Sequence, residues 1–159
     1  MRNAAVAVCL AASLCLAQDW IARYSTGLEE HDYARGLAVD RQGNSYVVGE
    51  AWSRWGIALV KYTPDGETAW TRTYGEERFT DFGGMSAVTT RDNGVVVVAE
   101  VYESGANGFS LRKYDLDGGL LWDTVYWHSS AGEPVGTDHV RAITDASNAI
   151  YGLFADSCG

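Results

Sequence analysis

A chain of 159 residues with 18 Gly, 2 Pro and 12% aromatic residues has room for one domain of ordinary size. It is too rich in packing residues to be disordered. Its formal charge of −9 argues against nucleic acid or anionic lipid as the main partner. Of its 3 cysteines, Cys9 and Cys15 fall in a leader expected to be removed. Cys158 is then left without an intrachain partner, which excludes a disulfide-stapled mini-domain.

Taken in chain order, the first element is "MRNAAVAVCLAASLCLA", with Arg2 ahead of an apolar run from Ala4 to Ala17. A membrane span needs roughly 20 apolar residues, so the run is short for one. It reads as a secretory signal peptide over residues 1–17, with small Ala17 before the cleavage point and Gln18-Asp19 after it. A retained anchor helix and a lipidated Cys15 are the alternatives. The second wants small residues before the cysteine, where Leu14 stands. Loss of Arg2 takes the mature charge from −9 to −10.

Residues 18–159 then repeat. Trp20, Trp70 and Trp122 stand 50 and 52 residues apart, each followed four residues on by Tyr24, Tyr74 and Tyr126. Aspartates follow at Asp32, Asp81 and Asp138, then the apolar pieces "GLAVD", "SAVTT" and "RAITD". The turn signals "RQGN", "RDNG" and "DASN" lead into "SYVVG", "VVVVAE" and "AIYGLFA". The first two units close with "IALVKYTPDGETAW" and "FSLRKYDLDGGLLW"; the third stops at Cys158-Gly159. Each full unit holds four runs of strand length separated by Gly, Asn and Asp, and none has helical spacing. Asp65-Gly66 and Asp117-Gly118 are hairpin pairs in which Gly accepts positive φ, and Asn93-Gly94 gives a similar signal. Runs such as Val95 to Val98 are apolar at adjacent positions, which suits a sheet covered on both faces.

Four-stranded units of this length, covered on both faces, predict an all-β partial β-propeller of antiparallel blades starting near Trp20, Trp70 and Trp122. The recurring Trp is expected in or near the outermost strand, packing between blades, with Tyr62, Tyr114, Gly66 and Gly118 as companion anchors. The set Trp20, Asp32, "LAVDRQGNSYVVGEA" and "LVKYTPDGETAW" resembles the bacterial beta-propeller repeat family, often called the seven-bladed repeat. Unit two keeps Trp70, "TYGE", Asp81 and "LRKYDLDGGLLW". It departs at "TTRDNGVVVVAE", where the aspartate of "AVD" is lost and one residue is expected to be inserted. Unit three, with "ITDASNAIYG", is the weaker match. WD40 repeats are excluded because Trp-Asp occurs only at Trp122-Asp123 among the three equivalent positions. Gly118-Gly119 has no Gly-Gly counterpart at Gly66-Glu67, against kelch repeats, and the Gly-x-x-x-Trp spacing is similar to quinoprotein-type repeats.

Propellers close with about 4–8 blades, and this sequence supplies about two and three-quarters. It is therefore expected to be the N-terminal portion of a longer propeller, with Trp20 on the strand completing the last blade, or to assemble through its open blade faces.

Chemistry is sparse. His31, His128 and His139 have no metal-like spacing, and neither a phosphate loop, a zinc signature nor a nucleophile elbow is present. "DLDGG" lacks the later carboxylates of a calcium loop and reads as a turn. No catalytic residue, metal or cofactor is expected. The candidate binding residues follow the second run of each unit: Glu50, Trp52 and Trp55, then Glu100, Tyr102 and Glu103. Aromatics beside carboxylates can stack on and hydrogen-bond sugars or peptides, although Trp52 and Trp55 can equally fill gaps between blades. The sequence thus reads as an exported, secreted or cell-surface, non-catalytic module that serves a structural role or binds a protein or carbohydrate, and is not integral to a membrane. The alternative is the N-terminal part of a propeller enzyme, such as a quinoprotein-like oxidoreductase, lyase or hydrolase, whose active site lies outside this chain.

Overall fold

The computed structural model describes residues 20–25, 32–51, 56–74, 85–103, 106–127, 139–145 and 147–155. The leader 1–17, Trp52, Trp55, His31, His128, Asp81, Asp138 and Cys158 lie outside the described residues. All regular structure described is strand. Four strands, β1 (Asp32–Val39), β2 (Ser45–Ala51), β3 (Gly56–Tyr62) and β4 (Thr68–Tyr74), form one antiparallel sheet in sequential order. A second sheet has the same order: β5 (Met85–Thr90), β6 (Gly94–Glu103), β7 (Ala106–Asp115) and β8 (Leu120–Trp127). The pair β9 (His139–Thr144) and β10 (Ile150–Ala155) repeats the first half of that pattern. These are two propeller blades and the opening strands of a third.

The first strands β1, β5 and β9 stand side by side and line the centre, which leaves β4 and β8 outermost. Hydroxyl-to-carbonyl bonds repeat across this inner row. Thr89 Oγ1 donates to the Val39 carbonyl (3.1 Å), and Thr144 Oγ1 donates to the Thr89 carbonyl (3.0 Å). Their spacing approaches backbone contact: a Cβ on Gly36 would lie 3.2 Å from the Ala87 nitrogen and 2.9 Å from Val48 Cγ1.

The alternation of the second strands explains the valine run. Val95 and Val97 join Tyr46, Val48, Ile57, Leu59 and Tyr74 in the core between the first two blades. Val96 and Val98 point the other way, to Phe109, Val140 and Ala142 in the core against β9. Successive side chains of a strand face opposite sides, so a strand between two blades is apolar throughout. All seven residues of β3 are buried as well.

Register corrects the expected insertion in unit two. Val39 pairs with Ser45, and Thr89 pairs with Val95, so Asp40 and Thr90 occupy the same place and the turns between are of equal length. The extra residue is in unit one: the β1–β2 register shifts between Ala34 and Gly36, a bulge at Arg35. Asn93-Gly94 is also read differently, because Asn93 and not Gly94 takes positive φ (59°). Gly43 (86°) and Asn148 (66°) hold that position in the other units.

Unit three keeps a turn device of unit one that its overall similarity hides. Asp40 Oδ1 accepts from the backbone nitrogens of Gln42 (2.9 Å) and Asn44 (2.8 Å), and Oδ2 from the Tyr46 hydroxyl (3.0 Å). Asp145 Oδ1 accepts likewise from Ser147 (2.7 Å) and Ala149 (3.0 Å), and Oδ2 from the Tyr151 hydroxyl (3.0 Å). In unit two, Thr90 Oγ1 retains one such bond, from the Gly94 nitrogen (3.1 Å). Burial pulls the Asp40 carboxyl upward, but bonds from Asn44, Tyr46 and Gln42 outweigh it and hold the group below its usual range. Side-chain and backbone bonds from Ser147 lower Asp145 to about 2.

Candidate functional site

The hairpins that opened the repeat are joints between blades. Thr63 to Glu67 closes with Thr63 N donating to Glu67 O (2.8 Å) and Gly66 N donating to Thr63 O (2.9 Å). Asp115 to Gly119 closes in the same way, and Asp115 Oδ1 accepts from the nitrogens of Asp117 (2.9 Å) and Gly119 (2.7 Å). The "DLDGG" carboxylate is therefore spent on its own turn. Gly66 (φ 83°) and Gly118 (φ 81°) take left-handed backbone, and each lies under the repeat tryptophan that precedes its own hairpin's tryptophan, Trp20 and Trp70 respectively. A Cβ on Gly66 would stand 2.7 Å from Trp20 Cγ, and one on Gly118 would stand 3.0 Å from Trp70 Cδ2. Glycine is required here for both conformation and room.

Polar groups lock the first complete joint. Trp70 Nε1 donates to the Leu116 carbonyl (2.9 Å), which also accepts from Lys61 Nζ (2.8 Å). Arg72 Nε donates to the Gly118 carbonyl (2.7 Å), and its guanidinium lies 5.4 Å from the centre of the Trp70 ring. Tyr74 is buried beneath Arg112, 4.1 Å above its ring, and contacts the core with Tyr114. Sequence reading found Trp70, Tyr114 and Gly118 but missed Lys61 and Arg72 as cross-blade donors. "Lys-Tyr" recurrence was the available signal for Lys61; Arg72 does not recur, because Thr124 takes its place in β8.

Among the described residues, the contacts at the two ends of the stack differ from those of this joint. Trp20 packs on Tyr62 with ring centroids 5.7 Å apart, and burial raises the Tyr62 hydroxyl above its usual pKa. Beside it a pocket of about 290 Å³ opens on the face of the first blade, lined by Trp20, Tyr24, Tyr33, Glu50, Val60 and Tyr62. Segment 20–25 is not itself assigned as strand, although Trp20 occupies the seat over Gly66 expected of an outermost strand. At the other end Trp122 is 38% and Tyr126 63% exposed, whereas Tyr74, the counterpart of Tyr126, is 6% exposed.

The candidate binding residues divide. Glu50 and Glu100 hold equivalent positions, opposite Ile57 and Phe109, and both are buried rather than displayed. The bulge at Arg35 explains the first: it carries Arg35 Nε to 2.7 Å from Glu50 Oε1, while the guanidinium stacks over Tyr33. Glu50 thus borders the blade-one pocket as one half of an ion pair. Tyr102 is half-buried near the end of β6, opposite the buried Asn107. Trp52 and Trp55 lie outside the described residues, and the structure does not bring Glu50 and Glu100 together into one pocket lining.

Among the described residues no group of three or more His, Cys, Asp or Glu is placed to hold a metal ion. No helix among them is long and apolar enough to cross a membrane. These features define a propeller-repeat module. Residues 19–54 match the family model for the beta-propeller repeat, SBBP, so the resemblance read from Trp20, Asp32 and "LAVDRQGNSYVVGEA" holds across the start of the first blade. A comparison with curated proteins finds no match.

Proposed function

We propose that this chain is an exported, non-catalytic propeller-repeat module that works by binding another protein at or beyond the cell surface. The observation that carries the reading is the joint itself. The residues most regularly repeated are Trp, the Asp-Gly turn and Tyr, and the structure spends them on blade-to-blade contact. Support for a protein partner comes from β8, where Leu120, Leu121, Trp122, Tyr126 and Trp127 are all at least 38% exposed, an unusual number of exposed large apolar side chains for one strand. Support for export comes from Arg2 and the Ala4–Ala17 run.

The test is expression of the full chain in a bacterial host, followed by fractionation and N-terminal sequencing of the product. Export with a new terminus at Gln18 is expected. Retention in the cytosol with Met1–Ala17 attached contradicts the export half of the proposal. Turnover of a substrate by the purified chain contradicts the non-catalytic half.

A further inference from the structure

We infer that the cleft between the β1–β2 turn and the β5–β6 turn is a carboxylate site, where Arg41 and Arg91 receive an acidic side chain of a partner protein. The inference rests on the reading of the chain as a protein-binding module and names the chemistry the partner presents. Register makes the two arginines equivalent. Asp40 and Thr90 occupy the same place in their blades, so Arg41 and Arg91 each stand one residue further into the turn. The bond from Thr89 Oγ1 to the Val39 carbonyl (3.1 Å) holds the two turns side by side. The Arg91 backbone nitrogen donates to Asn148 Oδ1 (2.7 Å), which ties the second turn to that of unit three. Between the first two turns lies a cleft of about 210 Å³, bordered by both arginines, Gln42, Asn93 and Leu116 of the second blade's hairpin. All of these residues belong to the two complete blades.

The carboxylates adjoining these arginines in sequence are occupied. Asp40 accepts through Oδ1 from the Gln42 and Asn44 backbone nitrogens, and through Oδ2 from Asn44 Nδ2 (2.8 Å) and the Tyr46 hydroxyl. Asp92 accepts from Lys113 Nζ. Arg41 and Arg91 are exposed, and among the described residues neither guanidinium has an ion-pair or hydrogen-bond partner. Arg35, Arg72 and Arg112 are by contrast spent on Glu50, the Gly118 carbonyl and Asp123. A guanidinium offers a planar fork of N–H donors that matches a carboxylate, and two at one cleft can hold both its oxygens. The formal charge of −9 repels a free anion at long range. A carboxylate carried on a partner is instead held close by the partner's other contacts, which raise its effective concentration. The cleft also suits one side chain, since pockets for whole small molecules begin at roughly 300 Å³.

The experiment follows the arginine Nε–Hε signals of the full chain by NMR while a blocked glutamate, N-acetyl-glutamate N-methylamide, is added at low salt. The Arg41 and Arg91 signals should shift together and saturate in roughly the millimolar range. The affinity should fall severalfold when salt is raised to about 1 M. Arg23 is the internal control, being exposed and without a partner among the described residues but away from both turns, and its signal should hardly move. The blocked glutamine analogue should shift neither Arg41 nor Arg91. Arg41→Gln should weaken the Arg91 response severalfold, and Arg91→Gln the Arg41 response, with Tm unchanged in both. Equal shifts at Arg23, equal binding of the glutamine analogue, or an Arg91 response untouched by Arg41→Gln overturns the proposal. Tighter binding of inorganic phosphate than of blocked glutamate overturns the choice of a carboxylate. The probe is a single residue, so the site is tested without any partner. Its failure leaves the exposed apolar side chains of β8 and the protein-binding reading standing, and failure of that reading leaves the response to the probe intact.

Discussion

Removing the indole at position 70 should cost far more than removing the one at position 122, although sequence makes them equivalent. Trp70→Ala deletes a ring packed on Tyr46 (centroids 5.9 Å apart) and over Gly118, together with the bond to Leu116. Full burial of a Trp is worth about 3–5 kcal/mol on truncation. The ring here is only partly buried, which sets the packing loss at about 2 kcal/mol, and the hydrogen bond adds about 1 kcal/mol. The Leu116 carbonyl keeps Lys61 Nζ as a partner, so no orphaned acceptor adds to the total of about 3 kcal/mol. Trp122→Ala removes a ring that is 38% exposed and has no turn beneath it among the described residues, and should cost about 1 kcal/mol. For a domain of this size the difference corresponds to roughly 4–8 °C in Tm. Urea and thermal unfolding of both variants of the full chain, followed by far-UV circular dichroism, measure it. Equal losses within about 0.5 kcal/mol would refute the joint as described, since the two rings would then sit in the same environment.

Other positions give independent outcomes. Gly118→Ala should destabilise by about 2 kcal/mol or more, because its Cβ adds left-handed strain to a 2.9 Å approach to Arg72 Nη2, and a urea midpoint reads the change. Tyr74→Phe should be neutral or stabilising by up to about 1 kcal/mol: the hydroxyl is buried with no hydrogen-bond partner among the described residues, while neighbouring Ser110 donates to the Ala99 carbonyl. Thr144→Val should loosen β9 from β5 by about 1 kcal/mol, seen as faster amide exchange in β9 with exchange in the first blade unchanged. Acid sensitivity follows from Asp40 and Asp145, whose folded-state carboxyls lie below the ordinary aspartate value of 3.8. Their contribution is fully present above that value and is lost as pH falls through the folded values, about 2 for Asp145. The stability gap between the parent chain and an Asp40→Ala, Asp145→Ala double variant should therefore be constant above about pH 5 and narrow below pH 4; a gap that widens on acidification is the opposite sign.

Much of the fold was legible because its joints use residues with unmistakable demands. Positive φ leaves few choices besides Gly and Asn, so Gly66, Gly118 and Asn93 marked turns before any contact was known. Trp recurs because a large ring is needed to bridge one blade to the next hairpin. The bulge at Arg35 is not legible, since a bulged residue needs no particular side chain, and sequence alone places the extra residue in the second unit. Thr90 is not legible as the counterpart of Asp40, because its hydroxyl takes over only one of the backbone bonds that Asp40 accepts. The binding candidates were the least legible. Glu50 looked like a surface carboxylate, and its burial depends on Arg35, fifteen residues away and brought beside it only by the bulge.

The most direct test of the account is a set of nuclear Overhauser contacts from the indole protons of each repeat tryptophan in the full chain. The joints predict contacts from Trp20 to the Gly66 α-protons and from Trp70 to those of Gly118, with both glycines shifted upfield by the rings above them. Contacts from Trp70 to Gly66 and from Trp122 to Gly118, each ring lying on the hairpin of its own blade, would contradict it.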